Sequence, residues 1–205
     1  MTPAHYDLGF QIGATFEAKI LLALDDNLEP VDLAGFTPFA TAKDEGNGVV
    51  IVDLQPILIV PGNLASPVTI GVGETLFTCV GHGMVPGLNI SFSSSVKLPL
   101  PLRTSERYIV LTKHFTPDTF EVVSFHSAVN GFEASVRTRT SGDGVITAAR
   151  VPGQILLQEI TDEVTKLFTE HDATWDLMLE DAAGRRLAPA MRGKFPIKYG
   201  STDPP

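Results

Sequence analysis

The sequence predicts a mostly β protein, and three observations carry that reading. The 205 residues include 18 glycines and 15 prolines, which punctuate the chain too often for long helices. Val, Ile, Thr and Phe recur in short runs between them. Several of those runs alternate apolar and polar residues, the period of a half-buried strand.

Taken in order, "TFEAKILLALDD" at 15–26 places Phe16, Ala18, Ile20, Leu22 and Leu24 on one side and ends in the polar turn "DDNLEP". "VDLAGF" is a short strand running into a turn at Gly35. "GVVIVDLQPILIVPG" is densely apolar, but Pro56 removes a ladder donor, so the run reads as two short strands or an edge segment, ended by Pro61 and Gly62. From residue 67 onward, "PVTIGVGETLFTCV", "LNISFSSS", "RYIVLTK" and "TFEVVSF" follow at the spacing of a small barrel or sandwich.

"GFEASVRTRTSGDGVITAARV" reads as a hairpin turning at "SGDG", with Phe132, Ala134, Val136 and Thr138 on one face and Arg137 and Arg139 on the other. "ITDEVTKLFTEHD" is the one helix candidate: Thr161 can N-cap, Asp162 and Glu163 suit the first turn, and Val164, Leu167 and Phe168 share a face. A meander closes the chain, with Trp175, Leu177 and Leu179 pointing one way, "EDAAGRR" turning, and "RGKFPIKYG" returning. Pro189 makes that last hairpin irregular, and 201–205 is expected to be a loose tail.

The net charge of −9 argues against a phosphate-reading surface, so no nucleic acid is expected as a partner. Residues 1–60 hold nine acids against Lys19 and Lys43, whereas 182–200 hold Arg185, Arg186, Arg192, Lys194 and Lys198 with no acid. Those five cations are the candidate interaction surface, since such polarity suits docking against a neighbouring subunit; two solvated faces of one monomer would look the same. A single cysteine, Cys79, excludes an intramolecular disulfide. No signal-peptide pattern opens the chain and no window approaches ~18 uninterrupted apolar residues, so neither export nor membrane insertion is expected.

No catalytic, cofactor-binding or metal-binding residues are assigned. "GVGETLFTCVGHGMVPGLNISF" at 71–92 lacks both the Gly-Lys-Ser/Thr ending of a phosphate loop and a following helix. There is no Gly-x-Ser-x-Gly elbow, and Ser91, Ser93, Ser94 and Ser95 read as a solvated strand end. His82 near Cys79 could in principle form a thiolate pair, but no third group orients it. His5, His82, His114, His126 and His171 lack metal-ligand spacing. Glu17, Glu121 and Glu133 read as solvent-facing strand acids.

Residues 82–125 resemble a small β module of bacteriophage tail and fibre proteins. The resemblance rests on His82 and Gly83, Gly87, "ISF" at 90–92, a loop through Pro99 and Pro101, "YIV" at 108–110 and "DTFEV" at 118–122. The flanks resemble a second phage module, the immunoglobulin-like N-terminal domain of upper baseplate proteins. There the matching residues are "GATF" at 13–16, "VDLAG" at 31–35, "GFEASVR" at 131–137, Thr165, Leu167, "WDLMLED" at 175–181, Gly184, Leu187 and Gly193. Because the two halves of that pattern normally abut, the resemblance implies an insertion. It gives an immunoglobulin-like β-sandwich host at 1–35 plus 129–200, split by residues 36–128, which contain a small β-barrel or sandwich module at about 64–127. "GFTPFATAKD" could instead continue the host strand in place of "GFEASVRTR".

The resemblances imply a noncatalytic structural protein of a tailed-phage virion, sited in the tail, baseplate or fibre-attachment region and made in the host bacterial cytoplasm. Its expected partners are other virion proteins and copies of itself. An alternative is a carbohydrate-binding module recognising a host-surface glycan, and a less favoured one is an envelope-degrading hydrolase using His82 or Ser93.

Overall fold

The computed structural model describes residues 4–5, 10–11, 18–25, 29–46, 48–131, 134–161, 173–186, 191–195 and 197–198. In chain order its elements are β1 (Ala4–His5), β2 (Phe10–Gln11), β3 (Lys19–Leu22), β4 (Thr37–Asp44), β5 (Val50–Asp53), β6 (Ile57–Leu58), β7 (Gly62–Asn63), β8 (Phe77–Thr78), β9 (Asn89–Ser94), β10 (Arg107–Val110), β11 (Thr119–Phe120), β12 (Val122–Ser124), α1 (Phe125–Val129), β13 (Ile146–Arg150), β14 (Gln154–Leu157), β15 (Ala173–Glu180), β16 (Met191–Phe195) and β17 (Ile197–Lys198). The protein is mostly β, with several antiparallel sheets and one short helix among the described residues, as its turn-rich composition predicts.

The chain forms two compact units. The first comprises Met1–Leu21, Leu33–Leu58 and Ile155–Pro205; the second comprises Leu22–Asp32 and Ile59–Gln154. An outer unit is therefore interrupted, but the changeovers differ from the expected 1–35 plus 129–200 around 36–128. Residues 36–58 stay with the first unit, and 129–154 belong to the second.

The reason lies in β4 and β15. β15 alternates buried and half-buried positions, putting Ala173, Trp175, Leu177 and Leu179 inward. Its bulky side chains face small partners, because Trp175 lies opposite Ala42 and Leu177 opposite Ala40 in the antiparallel ladder. On the other face, Asp176 accepts hydrogen bonds from Thr41 Oγ1 at 3.1 Å and Lys43 Nζ at 2.8 Å. "GFTPFATAKD" is thus the strand beside "WDLMLED", in a sheet ordered β1-β16-β15-β4-β5. The turn into β16 forms as expected: Asp181 accepts from the Ala183 and Arg185 amides at 2.9 and 3.0 Å.

In the second unit a sheet ordered β12-β10-β9-β13-β7 packs its apolar face into an aromatic core. Phe77 stacks on Phe92 and Phe120 with centroids 5.2 and 5.5 Å apart, and Tyr108 meets Phe92 edge-on at 5.2 Å. Past the last β9–β13 pair, Arg150↔Ile90, Val151 N donates to Asn89 O at 3.1 Å and the Gln154 side chain adds to the same pairing. Its amide accepts from Asn89 N at 2.6 Å and donates to Asn89 O at 2.9 Å and Val151 O at 2.8 Å. Next to it, Gly153 sits at φ +77 and its carbonyl accepts from Ala23 N at 2.8 Å.

Three expectations are corrected. In β3 the buried residue is Leu21, while Ile20 and Leu22 are half-buried. "ILLAL" is apolar on both faces, so alternation cannot choose its side. The 131–151 hairpin does not form. Residues 134–139 bond to three separate places, Val136 N to Val122 O, Thr138 N to Glu74 O and Arg139 N to Leu100 O, while β13 pairs with β9 and β7. "TFEVVSF" does not run on as a strand either: Ser124 Oγ accepts from Ser127 N at 3.1 Å and caps α1. The helix expected from Thr161 runs into residues 162–172, which lie outside the described residues, as do Phe132, Glu133, Pro189 and the tail at 201–205.

Candidate functional site

The residues raised by the sequence for chemistry are committed to structural hydrogen bonds, His82 and Cys79 to backbone and Ser93 to a neighbouring hydroxyl. Gly81 and Gly83 flank His82 at φ 62 and 57, a left-handed geometry that suits glycine. Between them the His82 ring turns inward to 3% exposure. Its Nδ1 accepts from Met84 N at 3.0 Å, so Nε2 carries the proton and donates to Thr116 O at 2.8 Å. Phe115 and Phe120 hold the ring at 5.2 and 5.5 Å. Cys79 donates to Ser66 O at 3.3 Å, and burial pushes its thiol up, away from the thiolate. Ser93 Oγ lies 2.7 Å from Thr147 Oγ1.

The five candidate surface cations fall on the turn and strands of the first unit. Arg185 pairs with Asp181 at 2.7 Å, Arg186 with Glu180 at 3.2 Å, and Lys194 with Glu45 at 3.3 Å. Arg186 also lies over the Phe39 ring. Arg192 is opposite Asp176 in the ladder, and Lys198 is on β17. Three of the five cations are therefore paired with acids from β15 and from the turns that follow β4 and β15.

Glu121, expected to face solvent, is 2% exposed. It falls between β11 and β12, where the chain leaves one strand pair for another, and this break replaces the alternation that would have pointed it outward. Thr75 Oγ1 donates to Oε1 at 3.0 Å, His114 Nδ1 lies 2.9 Å from Oε1, and the Ser135 hydroxyl donates to Oε2. Lys113 Nζ stands 3.9 Å from Oε2. Burial alone would push the carboxyl up, but bonds from Ser135, His114 and Thr75 and the Lys113 charge outweigh it and hold it below the ordinary value. His114 is held at φ 52, in the left-handed region, with its side chain 61% exposed. The result is an oriented imidazole on a buried carboxylate.

That arrangement predicts an acid-sensitive unit. A carboxyl whose folded value lies below its unfolded value stabilises the fold above about pH 4.3, and the contribution disappears as pH falls through the folded value. Glu121→Gln offers one oxygen where donors converge on two, and is expected to cost about 2 kcal/mol at neutral pH. Urea titrations from neutral to acid pH should show a shallower acid limb in the variant than in the parent; parallel limbs would contradict the assignment.

The second feature is a surface recess between the loop before β10 and helix α1, lined by Arg103, Ser105, Glu106, Arg107, Phe125, His126 and Val129. An adjoining depression shares Arg103, Glu106 and His126 and reaches Tyr108, Ser124 and Ser127. Tyr108 fixes the loop: Arg103 N donates to its hydroxyl at 2.9 Å, and the hydroxyl donates to Glu106 Oε2 at 3.2 Å. Desolvation, with the Glu106 charge adding to it, pushes this phenol up to about 12. Arg107 lies over the Phe125 ring, 4.3 Å from its centroid. Tyr108→Phe should lower stability by about 1 kcal/mol, read as a shifted urea midpoint with unchanged slope.

Neither group was picked out from the sequence. The arginines and His126 lie in a Pro-rich loop and a strand end that carry no motif, and Ser135 joins Glu121 only through the fold. Among the described residues no group of three His, Cys, Asp or Glu could hold a metal ion, and no helix is long and apolar enough to cross a membrane. No family model, curated protein or solved structure matches the chain.

Proposed function

We propose that the chain is a noncatalytic structural protein of a tailed-phage virion, acting through contacts with other virion proteins and with copies of itself in the tail, baseplate or fibre-attachment region. One observation supports the reading most directly. The residues carrying the tail-and-fibre resemblance, scattered over 82–122 in sequence, support one another in the second unit. His82 packs against Phe120, the Gly87 amide donates to Val110 O at 2.8 Å, and Tyr108 pairs with Ile90. The spacing of the pattern then has a physical cause, because each element supplies a partner that another needs.

The interrupted layout of the first unit accords with a scaffold that carries a second β unit, and its β5 edge leaves Val50 half-exposed at 52%. Function would then lie in the surfaces that the two units present. The test is quantitative mass spectrometry of purified particles of the phage encoding this chain. Its peptides are expected in fixed stoichiometry to known tail components, and their absence from particles that contain those components would overturn the reading.

A further inference from the structure

We propose that the recess between the 103–107 loop and α1 binds an acidic saccharide, a uronate-type ring whose carboxylate is met by Arg103 and Arg107. The proposal does not depend on the chain being a virion component. The net charge is −9, yet residues 97–113 contain Lys97, Arg103, Arg107 and Lys113 against the single acid Glu106. Two arginines therefore line one recess of an otherwise acidic protein, and guanidinium geometry matches a carboxylate's two oxygens.

The rest of the lining selects the body of the ligand. Phe125 and Val129 supply an apolar wall, with Val129 68% exposed. Ser105, Glu106 and His126 supply groups that can bond ring hydroxyls. A neutral sugar stacked on an aromatic face is disfavoured, because Arg107 already lies over Phe125. A free inorganic oxyanion would leave the apolar wall unused. The loop is also braced before any ligand arrives, since the Tyr108 hydroxyl ties the Arg103 amide to the Glu106 carboxylate. Less ordering is then needed on binding.

The experiment is a titration of the full chain with sodium glucuronate, followed in proton–nitrogen correlation spectra, with glucose and inorganic phosphate as parallel arms. Saturable shifts are expected at amides of 103–107 and 124–129, with affinity on the order of millimolar, weakening as salt is raised. Glucose and phosphate should each bind about tenfold more weakly, as should glucuronate to Arg103→Ala, whose exposed side chain can be removed without touching the Tyr108 bond. Arg107→Lys keeps the charge but loses the fork and should weaken binding as well. Glucose binding as tightly as glucuronate would overturn the role of the arginines, and phosphate doing so would overturn the saccharide. Shifts elsewhere, or none with any probe, would overturn the site.

Discussion

Gln154→Leu is expected to lower the protein's stability by about 4 kcal/mol. Gln154 is 0% exposed and its amide acts as a missing piece of strand, engaging both the N–H and the C=O of Asn89 and the carbonyl of Val151. Leucine has nearly the same volume, so little cavity opens. What is lost is the pairing: the Asn89 N–H and the Val151 C=O lose this buried partner at about 1–3 kcal/mol each, while Asn89 O keeps its bond from Val151 N at 3.1 Å. Urea denaturation measures the total, and amide exchange at Asn89 localises it: that amide should exchange faster out of proportion to the rest of β9. A loss under about 1 kcal/mol would mean that Gln154 only fills space.

Gly153→Ala is expected to be as damaging, for a different reason. At φ +77 any L residue is strained, by roughly 1–2 kcal/mol. A Cβ there would also stand 2.6 Å from Val31 O and 3.0 Å from Ala23 O, which are backbone atoms that cannot swing aside. Relief requires displacing the segment whose bonds, Ala23 N to Gly153 O at 2.8 Å and Val31 N to Ala23 O at 3.0 Å, hold it in the second unit. Gly184→Ala provides the control, because Gly184 has φ +75 but meets nothing within 4 Å. We expect a loss of about 4 kcal/mol for Gly153→Ala and about 1 for Gly184→Ala in thermal or urea unfolding. Equal losses would show that the backbone contact plays no part.

What could be read from sequence depended on how local its cause was. β15 was legible because one face alone is buried, so apolar residues recur every second position and Trp175 falls on the right side. The turns around His82 were legible because glycine there has a local reason, the left-handed backbone. β3 was legible as a strand but not in facing, since Leu21 and Leu22 are chemically alike. Glu121 was illegible because a charged residue beside strand residues is ordinarily solvated. Its burial depends on Thr75, His114 and Ser135, which sequence order does not bring together. The 131–151 hairpin failed for the same reason in reverse: a good local turn lost to the distant acceptors at Glu74, Leu100 and Val122. The recess belongs with Glu121, its two sides being a loop and a helix that no motif marks.

The second unit takes one of its pieces, Leu22–Asp32, from far upstream of the rest. During synthesis at roughly 5–20 residues per second, Ala23 leaves the ribosome many seconds before the Gly153 carbonyl it will donate to. The first unit waits longer still, because β4 needs β15. Chains released early by a stop codon between 60 and 150 would therefore lack partners for both units at once and expose the apolar faces of each. Truncation within the interrupting segment should yield insoluble chains rather than a folded host unit.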